Sequence, residues 1–277
     1  MPELRCTVRD CALRLEPGGG ALRCGRGHAF DRARPGYWNL LQPQDRRSRR
    51  AGDSDEATAA RRRWLARGHV AGLVREIAAR IDAVSPPEGG LAVDVGCGEG
   101  TLTAQLLASR PLDVCGVDLA TGAIRLAART AESVTWIVAN ADRGLPFMSA
   151  SVDLAVSIFG RRPAEELRRV LKPKGALIVV VPGEDDLVEL REAAQGPAPR
   201  RSGAAGAAAE LAPHFTVKET ALWRHQAHHD REALADALAM SYRGARLSER
   251  ERMVSVVSKD VTLAAAILTL VPAHGVR

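Results

Sequence analysis

The run VDVGCGEG, Val93 to Gly100, constrains the fold of this chain more than any other stretch. A short apolar strand ends at Asp94, and Gly96, Gly98 and Gly100 follow at alternate positions. Glycine has no Cβ, so the backbone can turn sharply there and pass close to a ligand. The helix that follows points its unpaired N–H groups at the same place. About twenty residues further on, Asp118 ends a second apolar run, DVCGVDL, where a carboxylate can accept both hydroxyls of a ribose.

Two kinds of nucleoside ligand suit this arrangement. A dinucleotide needs G-x-G-x-x-G, with its pyrophosphate on the helix N-terminus. Here the glycines are spaced two apart throughout, and Glu99 would lie near any phosphate. S-adenosylmethionine carries positive charge and no phosphate, so Asp94 and Glu99 are compatible with it, and the spacing favours this second ligand.

The segments around this turn alternate. LAVDV, DVCGVDL, VTWIVA, SVDLAVSIF and ALIVVVP read as strands, separated by helices near 100–109, AIRLAART and AEELRRVL. Strands alternating with helices at this spacing predict an α/β fold with a doubly wound, mostly parallel sheet. FTVKETAL and VTLAAAILTLV bring the expected strands to seven, with a helix from about Asp230 to Met240 between them. Residues 196–209, rich in Gly, Ala and Pro, read as a flexible connection or lid. Upstream, one helical pattern runs from Ser54 to Ala83, with Ser54 as its cap, Asp55 and Glu56 in the first turn, and Trp64, Leu65, Leu73, Ile77 and Ile81 as its apolar stripe. The chain divides on this reading into 1–41, 42–83 and 84–277.

Three of the five cysteines fall in the first 24 residues. Cys6 and Cys11 form a C-x4-C pair, and Cys24 with His28 forms C-x3-H, with PGGG at 17–20 as a hairpin tip between them. Two such pairs can supply the tetrahedral ligand set of one structural Zn2+. A forty-residue segment has little core of its own, and a metal would supply its folding energy. Cys97 and Cys115 belong to the strand-and-turn region and read as small buried residues.

Charge is distributed unevenly. Residues 1–70 hold 15 arginines and no lysine against 8 acidic residues, an excess of +7, while the whole chain carries only +6. An arginine-rich region of this kind is an electrostatic footprint for a polyanion, with guanidinium groups suited to phosphate. No run of 18 apolar residues occurs and no apolar stretch follows the N-terminus, so the expected location is cytoplasmic, without a membrane.

The central segments resemble the class I S-adenosylmethionine-dependent methyltransferases. VDVGCGEG is similar to their first motif, GVDL to the acidic end of their second strand, and NADRGLPF to the segment after their third. SVDLAVSIF and RRVLKPKGALIVVVP are similar to their fourth and fifth strands. The resemblance implies a Rossmann-like domain binding S-adenosylmethionine through Asp94, Gly96, Cys97, Gly98, Leu102, Thr103, Asp118, Leu119, Ala141 and Asp142, with Asp142 toward the adenine amino group.

The order of parts resembles one family more closely, the bacterial 23S rRNA (guanine-N1)-methyltransferases. Its zinc knuckle ends in H-x-F-D-x-A-x-x-G-Y-x-N-L-L, similar to His28–Leu41, and its G-D-S-x-x-M-x-x-A-R-R-x-F-L-x-x-G-H-Y helix is similar to Gly52–Val70. The resemblance implies one Zn2+ on Cys6, Cys11, Cys24 and His28. It implies a 23S rRNA hairpin as partner, with N1 of a guanine near the peptide exit tunnel as the methyl acceptor, and macrolide resistance in some members. Arg46, Arg47, Arg49, Arg50, Arg61, Arg62, Arg63 and Arg67 are then expected on phosphates, and Phe159 or Trp64 on the unstacked base or in the core. A homodimer is compatible with this reading. The catalytic base is not identified. Three departures stand out: C-x4-C for the usual C-x2-C, Val70 for Tyr, and FGRRPAEE after the fourth strand. The alternatives are a small-molecule methyltransferase on the same core and an RNA-binding protein without catalysis.

Overall fold

A computed structural model describes residues 2–45, 53–197, 199–241 and 258–273. The N-terminal module forms a three-stranded antiparallel sheet, β1 (Leu15–Gly18), β2 (Ala21–Cys24) and β3 (Ala29–Asp31), followed by a two-residue strand, β4 (Trp38–Asn39). The β1–β2 hairpin turns at Gly19 and Gly20, both at positive φ, which is what a tight two-residue hairpin demands.

The main sheet is built from β5 (Leu91–Val95), β6 (Asp113–Asp118), β7 (Thr135–Val138), β8 (Val152–Ile158), β9 (Leu171–Pro182), β10 (Phe215–Asp230) and β11 (Ser258–Pro272). These are the seven expected strands, and β4 joins them at the edge, in the order β10-β11-β9-β8-β5-β6-β7-β4. Pairing is parallel from β4 through β9 and antiparallel at β11 and β10. The strand order reverses between β5 and β8, and in open α/β sheets the ligand crevice opens at such a switch point.

Helices α1 (Asp55–Ala66) and α2 (Ala71–Val84) precede the sheet, and α3 (Thr101–Leu107), α4 (Thr121–Thr130), α5 (Ala164–Val170), α6 (Val188–Gln195), α7 (Gly203–Leu211) and α8 (Arg231–Ser241) follow in turn. The single helix expected over 54–83 is therefore two. Gly68 adopts a left-handed φ of 76° and ends the first, so the apolar stripe continues on a new axis. Ser54 caps α1 as expected, accepting the Ala57 N–H at 3.1 Å. The segment expected as a flexible connection contains α7, whose Ala207 and Leu211 are buried. Alanine favours helix strongly enough to outweigh the two glycines within α7 once one face packs on the sheet.

Trp64 joins α1 to the far end of β10. Its indole N–H donates to His229 Nε2 at 3.0 Å, while His229 Nδ1 donates to the Ala227 carbonyl at 3.0 Å. His69 stacks on His229 with ring centroids 4.4 Å apart. Burial holds both imidazoles below their ordinary pKa, so the pair is neutral near pH 7.

Trp136 of β7 fixes the geometry of the glycine-rich turn. A Cβ on Gly116 would lie 2.3 Å from its ring, and one on Gly100 would lie 2.4 Å from it. Both glycines are therefore required by packing, and Gly100 also by its φ of 79°. Trp136→Ala would leave a cavity under the turn, with an expected loss of about 3–5 kcal/mol in a denaturant titration. A loss under about 1 kcal/mol would contradict this packing account.

The module and the sheet share one apolar cluster, in which Leu4, Leu15, Leu22, Phe30 and Leu40 meet Phe147, Val152 and Val117. Backbone bonds stitch the two together: Arg5 N–H to Pro146 O at 3.0 Å, Met148 N–H to Glu3 O at 3.1 Å, and Leu40 N–H to Val138 O at 2.9 Å. Buried Asp45 accepts from Asn140 at 3.0 Å and from Arg143 at 2.8 Å. Among the described residues, no helix is long and apolar enough to cross a membrane.

Candidate active site and metal centre

Cys6, Cys11, Cys24 and His28 converge although 22 residues separate the first from the last. The chain enters from the β-bridge of Arg5 with Arg14 and turns with Cys11 N–H bonded to Val8 O. Asp10, the last residue of the C-x4-C spacer, and Ala12, just after Cys11, take positive φ there. The second pair closes through Gly27 at φ 82°, with Cys24 N–H bonded to His28 O at 3.0 Å. Arg26 bonds across to the Asp10 carbonyl at 2.7 Å and ties the two turns together.

The ligand atoms all lie within 4.8 Å of one another. The Cys11–Cys24 sulfurs are 3.7 Å apart, and His28 Nδ1 lies 3.5 Å from Cys6 Sγ and 3.3 Å from Cys24 Sγ. A tetrahedron with Zn–S near 2.3 Å and Zn–N near 2.0 Å has S–S edges of about 3.8 Å and S–N edges of about 3.5 Å. The donor set and its size fit one structural Zn2+ with no open position.

The second feature is a cleft of ≈ 650 Å³ at the C-terminal ends of the parallel strands. Gly96, Cys97, Leu102, Asp118, Leu119, Ala141 and Asp142 line it. Asp94, Gly98 and Thr103 stand behind this wall. Thr103 Oγ1 donates to Asp94 Oδ2 at 2.6 Å, and Gly98 N–H donates to Asp118 Oδ2 at 2.9 Å. The Ala120 N–H reaches the other Asp118 oxygen at 2.8 Å. Each oxygen keeps a lone pair for a ribose hydroxyl.

Among the described residues, two buried carboxylate oxygens have no hydrogen-bond partner, Asp94 Oδ1 and Glu99 Oε2, the second of them 3.7 Å from the Arg61 guanidinium. Burial pushes the Asp94 carboxyl up to about 7 and raises Glu99 as well. A buried acceptor without a donor costs about 1–3 kcal/mol, so the site is built to receive one. The cationic S-adenosylmethionine, with its ammonium group, fits this acidic corner, whereas a pyrophosphate would be repelled.

Arg61 lies in the same corner, which sequence pattern alone did not indicate. It pairs with Asp53 and sits 3.7 Å from Glu99. Burial works against its charge, but Asp53 and Glu99 more than offset this and hold it cationic. Arg63 binds Asp236 of α8 through a two-nitrogen contact at 2.6 and 3.1 Å. Arg67 reaches Asp230 at 3.3 Å and Glu232 at 3.2 Å. Arg62 is exposed on the outer face of α1. Arg46, Arg47, Arg49 and Arg50 lie outside the described residues. Three of the eight arginines expected on phosphates thus already have carboxylate partners, those of Arg63 and Arg67 supplied by a distant segment.

At the mouth, the FGRRP segment crosses the glycine turn, and a Cβ on Gly96 would sit 3.1 Å from Gly160 Cα. Arg161 closes on Asp142 through contacts of 3.0 and 2.6 Å. Phe159 is 48% exposed there, while Trp64 is 5% exposed and belongs to the core.

Residues 92–175 match the family described as methyltransferase domain, and residues 4–49 match the one described as RlmA, N-terminal. A 23S rRNA (guanine(748)-N(1))-methyltransferase from Streptomyces fradiae is 34% identical over 241 residues, 86% of this chain and 84% of the relative. A Micromonospora griseorubida relative, whose name carries the guanine-N1 reaction as a provisional assignment, is 33% identical over 290 residues, 96% of each chain. The crystal structure of the YcgJ protein of Bacillus subtilis superposes with a TM-score of 0.51 at 16% identity, covering 70% of this chain and 97% of that one. That likeness concerns the sheet and its helices alone. With relatedness running through both the metal-binding module and the cofactor sheet, the chain belongs to the 23S rRNA (guanine-N1)-methyltransferase family.

Proposed function

We propose that this enzyme transfers the methyl group of S-adenosylmethionine to N1 of a guanine in a 23S rRNA hairpin. The observation that carries the reading is the relationship to the Streptomyces fradiae enzyme over 86% of the chain, beside the match of residues 4–49 to the RlmA N-terminal family. In this reading Asp118 holds the ribose and the acidic corner of Asp94 and Glu99 faces the ammonium group. Leu119, Ala141 and Asp142 lie along the adenine side. The cofactor supplies an activated methyl group, so the protein's work is to position the acceptor and remove its proton.

The metal-binding module and the exposed arginines, Arg62 among them, form the RNA-facing part. Phosphate contacts fix register, and the target base leaves its stack to reach the cleft. A small-molecule methyltransferase has no use for a rigid module on the sheet edge or for a +7 excess in residues 1–70. Incubation with labelled cofactor and unmodified large-subunit rRNA is expected to label the rRNA, with a rate that falls steeply as salt rises. Labelling that ignores salt, or that appears only in low-molecular-weight acceptors, would favour the small-molecule reading.

A further inference from the structure

The cleft is longer than the cofactor corner. Its second half lies over β8, β9 and β11, on the other side of the switch point, and is bounded by Trp64, Leu73 and Ile77 of the N-terminal helices, Trp223 of β10 and Leu263 to Ala265 of β11. These walls are apolar. Two ionisable side chains enter this half, Asp186 from the β9–α6 turn and Arg201 from just before α7. The reading above gives neither a task.

Both are held by backbone. Asp186 Oδ1 accepts the Ala264 N–H at 3.0 Å, and its own N–H donates to Gly183 O at 3.2 Å. Arg201 N–H donates to Glu184 O at 3.1 Å, and its Nε is buried with no hydrogen-bond partner. Among the described residues no ion pair joins the two. A carboxylate and a guanidinium are thus presented to one apolar slot, each with bonding capacity left over, and a buried donor left unmet costs about 1–3 kcal/mol.

Guanine is the base that matches such a pair. One edge offers the adjacent donors N1–H and N2–H, which a carboxylate accepts together, and the other offers O6 and N7, which a guanidinium meets. We infer that this half of the cleft is the pocket for the target guanine, with Asp186 as the acceptor of the N1 proton and Arg201 on the O6 side. The inference rests on the guanine-N1 reading and assigns residues to it. In the step, the N1–H bond breaks and its proton passes to Asp186. The freed electron pair on N1 forms the bond to the methyl carbon as the sulfur–methyl bond breaks, and that pair stays on sulfur as a neutral thioether. The cofactor's positive charge leaves as the proton, and negative charge building on O6 meets Arg201.

The environment of Asp186 suits a base. Burial pushes its carboxyl up to about 6, against the opposing charges of Arg201 and Arg191, while Asp185 raises it further. Asp185 is itself tied to Arg224 of β10 at 2.9 Å. From α6, Glu189 is turned to Thr262 at 2.6 Å, and the β11 residues facing the turn, Thr262 to Ala264, are not titratable. The ionised form does the work, so the rate is expected to rise through about pH 6 and level off above it.

The test pairs kinetics with binding. Asp186→Asn keeps an oxygen for Ala264 N–H and is expected to lower kcat by about 10²–10⁴-fold and to remove the pH 6 limb. Its affinity for S-adenosylhomocysteine should stay within about twofold of wild type in calorimetry. Asp186→Glu should recover part of kcat. Guanosine monophosphate, followed by tryptophan fluorescence on the S-adenosylhomocysteine-loaded protein, should bind, and Asp186→Asn and Arg201→Gln should each weaken it at least tenfold, as expected for a charge-assisted hydrogen bond. Wild-type pH profile and nucleotide affinity in Asp186→Asn would overturn the inference while leaving the rRNA reading intact. Absence of rRNA methylation, with nucleotide binding still dependent on both residues, would overturn that reading while leaving the guanine pocket standing.

Discussion

Removing the metal, or replacing Cys24 by Ala, is expected to unfold the first forty residues and to strip the edge of the main sheet. The three short strands of the module carry few apolar side chains of their own, and structural Zn2+ in modules of this size contributes an apparent ~10–16 kcal/mol to folding. The damage should not stay local. Leu4, Leu22, Phe30 and Leu40 pack with Phe147 and Val152 of the sheet domain, and β4 pairs with β7 through Trp38 and Asn39. Metal analysis should give about one zinc per chain in the wild type, as one closed tetrahedral site requires, and almost none in the variant. Thermal unfolding should then begin at lower temperature and lose cooperativity. A variant with unchanged metal content and unchanged unfolding would contradict the ligand assignment.

Cofactor affinity should show the second large effect. Asp118→Ala removes the carboxylate at the C-terminal end of β6 and, on the proposed reading, the two charge-assisted hydrogen bonds it would make to the ribose. At about 1.5–3 kcal/mol each, the loss is about 10²- to 10⁴-fold in the Kd for S-adenosylhomocysteine. It also leaves the Gly98 and Ala120 N–H groups without the acceptor they have now, which loosens the turn. Asp142→Ala should cost far less, because Asp142 is exposed and shared with Arg161. Calorimetry on both variants, with circular dichroism to verify folding, reads the difference. Equal losses in the two would show that the ribose is not held at Asp118.

What could be read in the chain beforehand follows from which interactions are local. The strand, glycine turn and helix of residues 91–107 are set by apolar patterning and by residues that accept positive φ, and both are written within a few positions. The two halves of the metal centre were legible because cysteine and histidine spacing has few other meanings. The break at Gly68 was less visible, since the apolar stripe runs on across it and only the backbone angle differs. The arginines are the clearest case of what patterning hides. Arg63 and Arg67 look like a phosphate-binding helix face, yet their partners Asp236, Asp230 and Glu232 lie more than 160 residues away. Arg61 turns inward, drawn by Asp53 and by Glu99 of the glycine-rich turn. Asp186 and Arg201 gave no signal at all. They stand in a charged turn and a Gly/Ala-rich stretch, and only the folding of β9 and β11 brings them to one slot.

The proposed function requires that one guanine N1 in the large-subunit rRNA receives the methyl group. Primer extension across rRNA treated with enzyme and S-adenosylmethionine tests it most directly, because a methyl on N1 blocks Watson–Crick pairing and halts the polymerase. The expected result is a single strong stop one nucleotide before a guanine in a hairpin loop, absent without cofactor and absent with metal-stripped enzyme. Full-length extension through the whole rRNA, with a protein that binds the cofactor and holds its zinc, would contradict it.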